Sequence, residues 1–174
     1  MRLCALSLYS GLGGLDLAAA AADIHIAALC ESEPFARSIL ARRFPGLPIY
    51  ESDEHVSAAR LAQDGIGPVQ VVFGGPPCQP AAAPGKRLGQ GDPRWRWSEF
   101  LRIVGDVRPR WVVAEQPPGI LALHGGRPWG EILDQLATLG YRWGYCTYGA
   151  DAVSAPHRRE RIFLICRLAH AQPG

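Results

Sequence analysis

A cysteine set among prolines is the chain's most distinctive chemical feature: Gly74-Gly75-Pro76-Pro77-Cys78-Gln79-Pro80. It follows Val69-Gln70-Val71-Val72-Phe73, an apolar run bounded by glycine and proline that reads as a buried strand. Cys78 is therefore expected on a stiff loop at the carboxyl end of a strand, the end where open α/β sheets bind ligands. Pro76, Pro77 and Pro80 fix φ and remove backbone donors, while Gly74 and Gly75 let a ligand approach the main chain. Such a loop aims a nucleophile with little freedom to lose, and only the thiolate is an effective one. The plain alternative is a small buried cysteine beside a proline turn. The prolines, glycines and glutamine packed around Cys78 favour the nucleophile.

Glu115 ends a second apolar run, Arg110-Trp111-Val112-Val113-Ala114-Glu115, with Pro117-Pro118 after it. Burial at a strand end disfavours a charged carboxylate, so Glu115 is a candidate proton donor; a structural acid paired with a nearby Arg is the alternative. In Pro156-His157-Arg158-Arg159-Glu160-Arg161 a strand would put His157, Arg159 and Arg161 on one face. Arg159 and Arg161 would then present guanidinium groups together, with Arg158 and Glu160 a solvated pair opposite. Tyr9-Ser10-Gly11-Leu12-Gly13-Gly14-Leu15 offers backbone N–H groups at a helix amino end. Glu31 lies about twenty positions after Gly11, where a nucleotide-binding βαβ unit places an acid on ribose hydroxyls. A solvated N-cap acid before Pro34 is the alternative.

The elements that must position these groups alternate. Leu3 to Tyr9 reads as a central strand, Leu15 to Ala22 as an alanine-rich helix and Ile24 to Cys30 as a second buried strand. Pro34 to Phe44 reads as a helix, broken by Pro45-Gly46-Leu47-Pro48. A short strand at Ile49-Tyr50 precedes Asp53, which would cap a helix from Glu54 to Gln63. Helices are expected over Trp97 to Val107 and Trp129 to Leu139, the latter stopped by Gly140. Strands are expected over Tyr141 to Tyr148 and Arg161 to Arg167. This alternation predicts a doubly wound α/β sheet, and 174 residues predict one domain, 1–174.

Composition is that of a soluble globular protein, with 48% hydrophobic and 20% charged residues. No apolar run reaches the roughly 18 residues of a membrane span, and Asp16 and Asp23 argue against a signal peptide. Five cysteines form no Cys-x-x-Cys pair, so free thiols in a reducing cytoplasm are expected, with no metal site. Net charge is only +2, but all of the 18 basic side chains except Lys86 are arginine. Arginine suits phosphates and base edges; the bias of a GC-rich genome accounts for most of the excess.

The glycine loop, the Pro-Pro-Cys-Gln loop, Glu115 and the Pro-His-Arg-Arg-Glu-Arg segment, in this order, resemble the cytosine carbon-5 DNA methyltransferases. The resemblance covers nearly all of the chain. It implies the Rossmann-like fold of class I S-adenosylmethionine-dependent methyltransferases, a mostly parallel doubly wound sheet with one late antiparallel strand. The implied activity is methylation of a flipped cytosine in DNA through a covalent bond to Cys78, in a bacterial or phage-like cytoplasm, as in restriction-modification. Glu115, in its acid form, would donate to ring nitrogen 3, and Arg159 and Arg161 would hold a phosphate and the cytosine carbonyl.

The resemblance implies S-adenosylmethionine at Tyr9, Gly11, Leu12, Gly14, Glu31, Ser32, Asp53, Glu54 and Pro77. Asp53 would take the adenine amino group and Glu31 the ribose hydroxyls. Ala81 to Trp97 corresponds to the family's loop that closes over DNA, with Gln79, Lys86, Arg87 and Arg94 as the implied contacts. Lys86, Arg87, Arg94 and Arg96 interleaved with Trp95 and Trp97 suit phosphate contact and stacking, although Trp97 is expected to begin a core-facing helix.

The chain departs from the family in places. Gln116-Pro117 stands for Asn-Val, His157 for Gln, Ala81-Ala82 for Phe-Ser, and Ser32 for an aromatic that packs on the adenine. The loop near Trp95 is one residue short. The sequence ends at Gly174, where the family continues into a target-recognition domain and a final Asn-containing motif. A truncated gene fragment, the catalytic subunit of a split enzyme with recognition on a second chain, and a minimal enzyme with little sequence preference all remain open. Other functions are also open: a non-catalytic methyltransferase-like module that binds DNA or a partner chain, and an RNA cytosine methyltransferase. Intact Cys78 and Glu115 argue against the first. A nicotinamide oxidoreductase fits the glycine loop alone, but Gly11-Leu12-Gly13-Gly14 lacks that fingerprint's last glycine and leaves Cys78 without a role.

Overall fold

Most strands of this protein carry apolar residues on both faces, as buried strands do, while the strand Tyr141–Tyr148 is largely exposed. The computed structural model, which describes residues 2–78 and 95–169, shows them side by side in one sheet. The strands are β1 (Cys4–Leu8), β2 (His25–Cys30), β3 (Ile49–Tyr50), β4 (Val71–Gly74), β5 (Trp111–Gln116), β6 (Tyr141–Tyr148) and β7 (Arg161–Leu168). Their order is β3-β2-β1-β4-β5-β7-β6. β1 to β5 pair in parallel. β7 runs antiparallel between β5 and β6, so it is the one reversed strand among the described residues. The chain leaves β1 toward β2 and returns on its other side as β4. The loops after β1 and β4 therefore diverge and open a crevice at the carboxyl ends.

Alternation along the strands divides the core into two layers. Ala5, Leu29, Val71 and Phe73 meet Ala19 of α1 (Gly14–Ala21) and Leu40 of α2 (Pro34–Arg43). Leu6, Leu8, Val72, Val112 and Ala114 meet the other layer, which includes Leu61 of α3 (Ala58–Gln63), Phe100 and Ile103 of α4 (Trp97–Val107), and Ile132 and Leu136 of α5 (Arg127–Thr138). Trp97 begins α4 and is buried, at 1% exposure.

Three local expectations are corrected. The expected helix from Glu54 to Gln63 is a single turn over Asp53–His55, an extended Val56-Ser57 and then α3. Serines cap both pieces: Ser52 accepts from the Glu54 amide and Ser57 from the Arg60 amide, so Asp53 is not the cap. α5 starts at Arg127 rather than Trp129, with Pro128 in its first turn. Residues 157–160 are not strand, and β7 begins at Arg161. The shared strand face of His157, Arg159 and Arg161 is therefore absent.

Close packing of β1 on β4 explains Gly74. It pairs with Leu8, and a Cβ there would lie 2.1 Å from the Leu8 carbonyl oxygen. Gly74→Ala is expected to destabilise by about 1–3 kcal/mol or more, read as a lowered urea midpoint. Gly67→Ala, whose Cβ would meet nothing within 4 Å, is expected to stay within about 0.5 kcal/mol of the parent.

Candidate active site

β4 and β5 pair in register to Gly74 and Ala114, so Gly75, just past the end of β4, comes beside Glu115, which is still in β5. A Cβ on Gly75 would come within 3.0 Å of Glu115 Oε2, which a glycine avoids. One residue on, Gln116 Nε2 donates to the Pro76 carbonyl at 2.8 Å. From the other side, Cys78 makes an antiparallel bridge with Trp95, and the Arg96 amide donates to the Pro77 carbonyl at 3.1 Å. The proline loop is thus braced on two sides, and Cys78 is 4% exposed. Burial pushes the Cys78 thiol up to about 11; the nearby Glu115 charge adds to this and Arg161 opposes it.

Antiparallel pairing of Gln116 with Ile162 brings Arg161, the first residue of β7, to the end of β5. Arg161 Nε lies 2.5 Å from Glu115 Oε1, with the Glu115 side chain 26% exposed. An ion pair, rather than the apolar burial expected from sequence, surrounds this carboxyl. Arg159 is exposed in the irregular segment ahead of β7. It shares an open surface with Pro118, His157 and Arg161 but not a strand face. Arg158 approaches Asp151 at 3.8 Å, both exposed, which replaces the expected Arg158–Glu160 pair. Gln79, Lys86, Arg87 and Arg94 lie outside the described residues.

Beside the proline loop, at the ends of β1, β2 and β3, is a cavity of about 280 Å³. Six residues expected at the cofactor line it: Tyr9, Glu31, Ser32, Asp53, Glu54 and Pro77. Cys30, Ser52 and Arg96 complete the wall, while Gly11, Leu12 and Gly14 are not part of it. The Gly11 amide instead donates to Glu31 Oε2 at 2.7 Å, and the Glu33 amide to Oε1 at 2.8 Å, which fixes the acid. The Leu12 side chain is 52% exposed; the Leu12 carbonyl accepts from Arg43. Gly14 starts α1 at the surface.

Asp53 is 6% exposed. Its Oδ2 accepts from the Tyr9 hydroxyl at 2.7 Å and from Arg96 Nε at 2.9 Å, and its Oδ1 accepts from Arg96 Nη2. Burial alone would raise this carboxyl; the Arg96 and Tyr9 hydrogen bonds outweigh it and hold Asp53 below the usual carboxylate range. Burial, then the charges of Asp53 and Glu31, push the Cys30 thiol up to about 12.

The cavity offers three carboxylates (Glu31, Asp53 and Glu54) and two serine hydroxyls. That acceptor-rich set fits a ligand with hydroxyl and amino donors and a positive charge. Pro77 lines the cavity and directly precedes Cys78, so anything bound there meets the residue next to the thiol in the chain.

Two residues with evident roles were not assigned them from sequence. Gln116 appeared only as a departure from a motif, and nothing local shows that it reaches Pro76. Arg96 was read within the DNA-facing alternation of bases and aromatics. Its position just ahead of α4 was the available signal, because that start fixes where its side chain can turn. Among the described residues no group of three or more His, Cys, Asp or Glu is placed to hold a metal. No described helix is long and apolar enough to cross a membrane.

The family model for "C-5 cytosine-specific DNA methylase" matches residues 3–172. The type II methyltransferase M.AquIA of Picosynechococcus sp. is 30% identical over 173 residues, covering 92% of this chain and 70% of that relative. The type II methyltransferase M2.BsuMI of Bacillus subtilis is 28% identical, covering 93% of this chain and 41% of that relative. Among solved structures, a prophage-encoded DNA modification methyltransferase of E. coli superposes with a TM-score of 0.80 at 24% identity, over 96% of this chain and 47% of its own. The Dnmt2 methyltransferase of S. pombe does so with a TM-score of 0.73 at 20% identity, over 100% of this chain and 52% of its own. The chain thus spans about half of these two structures, and their likeness shows the fold.

Proposed function

Because the chain belongs to the C-5 cytosine-specific DNA methylases, we propose that it carries out methylation of carbon-5 of cytosine in DNA, with S-adenosylmethionine as methyl donor. The observation that supports this most is the meeting of Cys78, Glu115 and Arg161 at the ends of β4, β5 and β7, one proline away from an acidic cavity.

The residues divide the chemistry as follows. The Cys78 thiolate adds to carbon-6 of an extruded cytosine, forming a C–S bond and pushing the ring electrons toward carbon-5 and nitrogen 3. Glu115 would act at nitrogen 3 in its acid form, taking up a proton from water or from the Cys78 thiol as the thiolate forms and donating it as carbon-6 is attacked. Arg161 holds the Glu115 carboxyl in place and offers its remaining N–H groups to the base carbonyl or a phosphate. Glu31 would accept from ribose hydroxyls and Asp53 from the adenine amino group. Bound in the cavity, the cofactor supplies a methyl group on a sulfonium. Loss of the carbon-5 proton then expels the Cys78 thiolate and restores the ring double bond. No described side chain stands out as the base for that proton, so the reading assigns it to water.

Arg159, Lys86, Arg87, Arg94 and Gln79 belong to the DNA contacts of this reading, with the cytoplasm as its place of action. No observation supports a second chain, and none is included.

The test is covalent trapping. Incubated with S-adenosylmethionine and duplex DNA containing 5-fluorocytosine, the protein is expected to form an adduct that survives denaturing electrophoresis. An adduct only with 5-fluorocytosine RNA would support the RNA enzyme. No adduct with either would support the non-catalytic module.

A further inference from the structure

Among the described residues, Arg96 is the one basic side chain lining a cavity otherwise walled by acids, hydroxyls, a thiol and a proline. Its backbone is pinned: its amide donates to the Pro77 carbonyl at 3.1 Å, and its carbonyl accepts from the Phe100 amide at 3.0 Å in the first turn of α4. The Tyr9 hydroxyl reaches the same carbonyl at 3.2 Å. Only the side chain is left to move. In the structure its fork spans both oxygens of Asp53 and reaches Glu54 Oε1 at 3.2 Å. Both side chains line the cavity, Asp53 at only 7% exposure and Arg96 at 26%, so the carboxylate has little open surface left beside the fork that holds it.

A carboxylate held by a two-pronged guanidinium and a phenol is a poor acceptor for a third donor arriving from the cavity. A purine amino group seeking Asp53 must first displace the fork. A purine carbonyl at the same edge meets the opposite situation, because the guanidinium itself offers donors. Building on the reading of this cavity as the cofactor site, we propose that Arg96 is a specificity-determining gate: its fork closes Asp53 in the free protein and must swing away before an adenine amino group is accepted there. The gate lowers the apparent affinity for the adenine ligand by the fraction of time it stands open. It also narrows the protein's preference for an amino over an oxo purine.

Arg96→Met tests this, since it keeps the reach of the side chain and removes every donor. Dissociation constants would be measured by calorimetry for S-adenosylhomocysteine and for S-inosylhomocysteine, which carries a carbonyl in place of the amino group. Arg96→Met is expected to bind the adenine ligand about tenfold more tightly, by the same open-fraction relation, and to raise the adenine-over-inosine preference by a similar factor. Arg96→Lys, which keeps the charge but cannot span both Asp53 oxygens, is expected to fall between the two and serves if the Met variant does not fold. Unchanged or weaker adenine binding in both variants, with an unchanged preference, would overturn the gate while leaving the cofactor site standing. Absence of binding in parent and variants alike would overturn the cofactor reading itself, and the gate with it.

Discussion

Cys78→Ala is expected to abolish the 5-fluorocytosine adduct and to lower methyl transfer to DNA by about 10⁴-fold or more, the scale on which covalent enzymes lose their nucleophile. The fold should survive, because alanine fits the 4% exposed site with the loss of one sulfur, and the loop remains braced by Gln116 and the Arg96 amide. A thermal melt within a few degrees of the parent would establish that. Cys30 is the other thiol near the site, but it lines the cavity across Pro77, and burial pushes it up to about 12. It offers no substitute nucleophile. An adduct persisting in the alanine variant would remove Cys78 from the mechanism.

The raised thiol also fixes the sign of the pH dependence. With Cys78 at about 11, the thiolate is a small minority at neutral pH and grows about tenfold per pH unit below that value. Adduct formation limited by Cys78 should therefore rise from pH 7 to 9 rather than level off near the ordinary thiol value of about 8.5. Stability runs the other way. The folded value exceeds the unfolded one, so the contribution of this group is complete below about 8.5 and is lost as pH rises toward about 11. A rate that levels off near pH 8 would mean that substrate binding, or another group, sets the thiolate population.

Much of the positioning was legible because it is written locally. Prolines and glycines delimit β4 and the Cys78 loop, and an apolar face with Trp97 at its head gives α4 its observed ends, Trp97–Val107. The parallel sheet follows from apolar strands alternating with helices. What was misread needed information from elsewhere in the chain. The alternating charges of His157 to Arg161 imitate a strand face, yet partners in register begin only where Arg161 pairs with Tyr148. Ser52 and Ser57 outcompete Asp53 as caps because Asp53 is drawn to Tyr9 and to Arg96, 43 positions away. Arg161 reaches Glu115 because β7 is inserted, reversed, next to β5, and the register of that pairing cannot be counted off either strand alone.

Glu115→Gln should separate chemistry on cytosine from simple reactivity of the thiol, because the two are expected to move in opposite directions. Methyl transfer should fall by about 10²–10⁴-fold, the usual contribution of a positioned acid or base, since the amide cannot deliver a proton to the ring. The carboxylate is also one of the two influences holding the Cys78 thiol up, after burial. Its replacement by a neutral amide leaves the Arg161 charge unopposed, so the thiol value should drop and alkylation by iodoacetamide at pH 8 should quicken. Arg161→Gln reverses the electrostatics: the Glu115 charge loses its partner at 2.5 Å, the thiol is pushed higher, and alkylation slows. Mass-spectrometric alkylation rates for the parent and both variants, measured beside the methyl-transfer rate of Glu115→Gln, test three predicted signs. If Glu115 were only a structural partner for Arg161, its glutamine variant would transfer methyl groups nearly as fast as the parent while still alkylating faster. If both rates fell together, disruption of the proline loop rather than loss of a proton donor would be the cause, and the role given to Glu115 would have to be withdrawn.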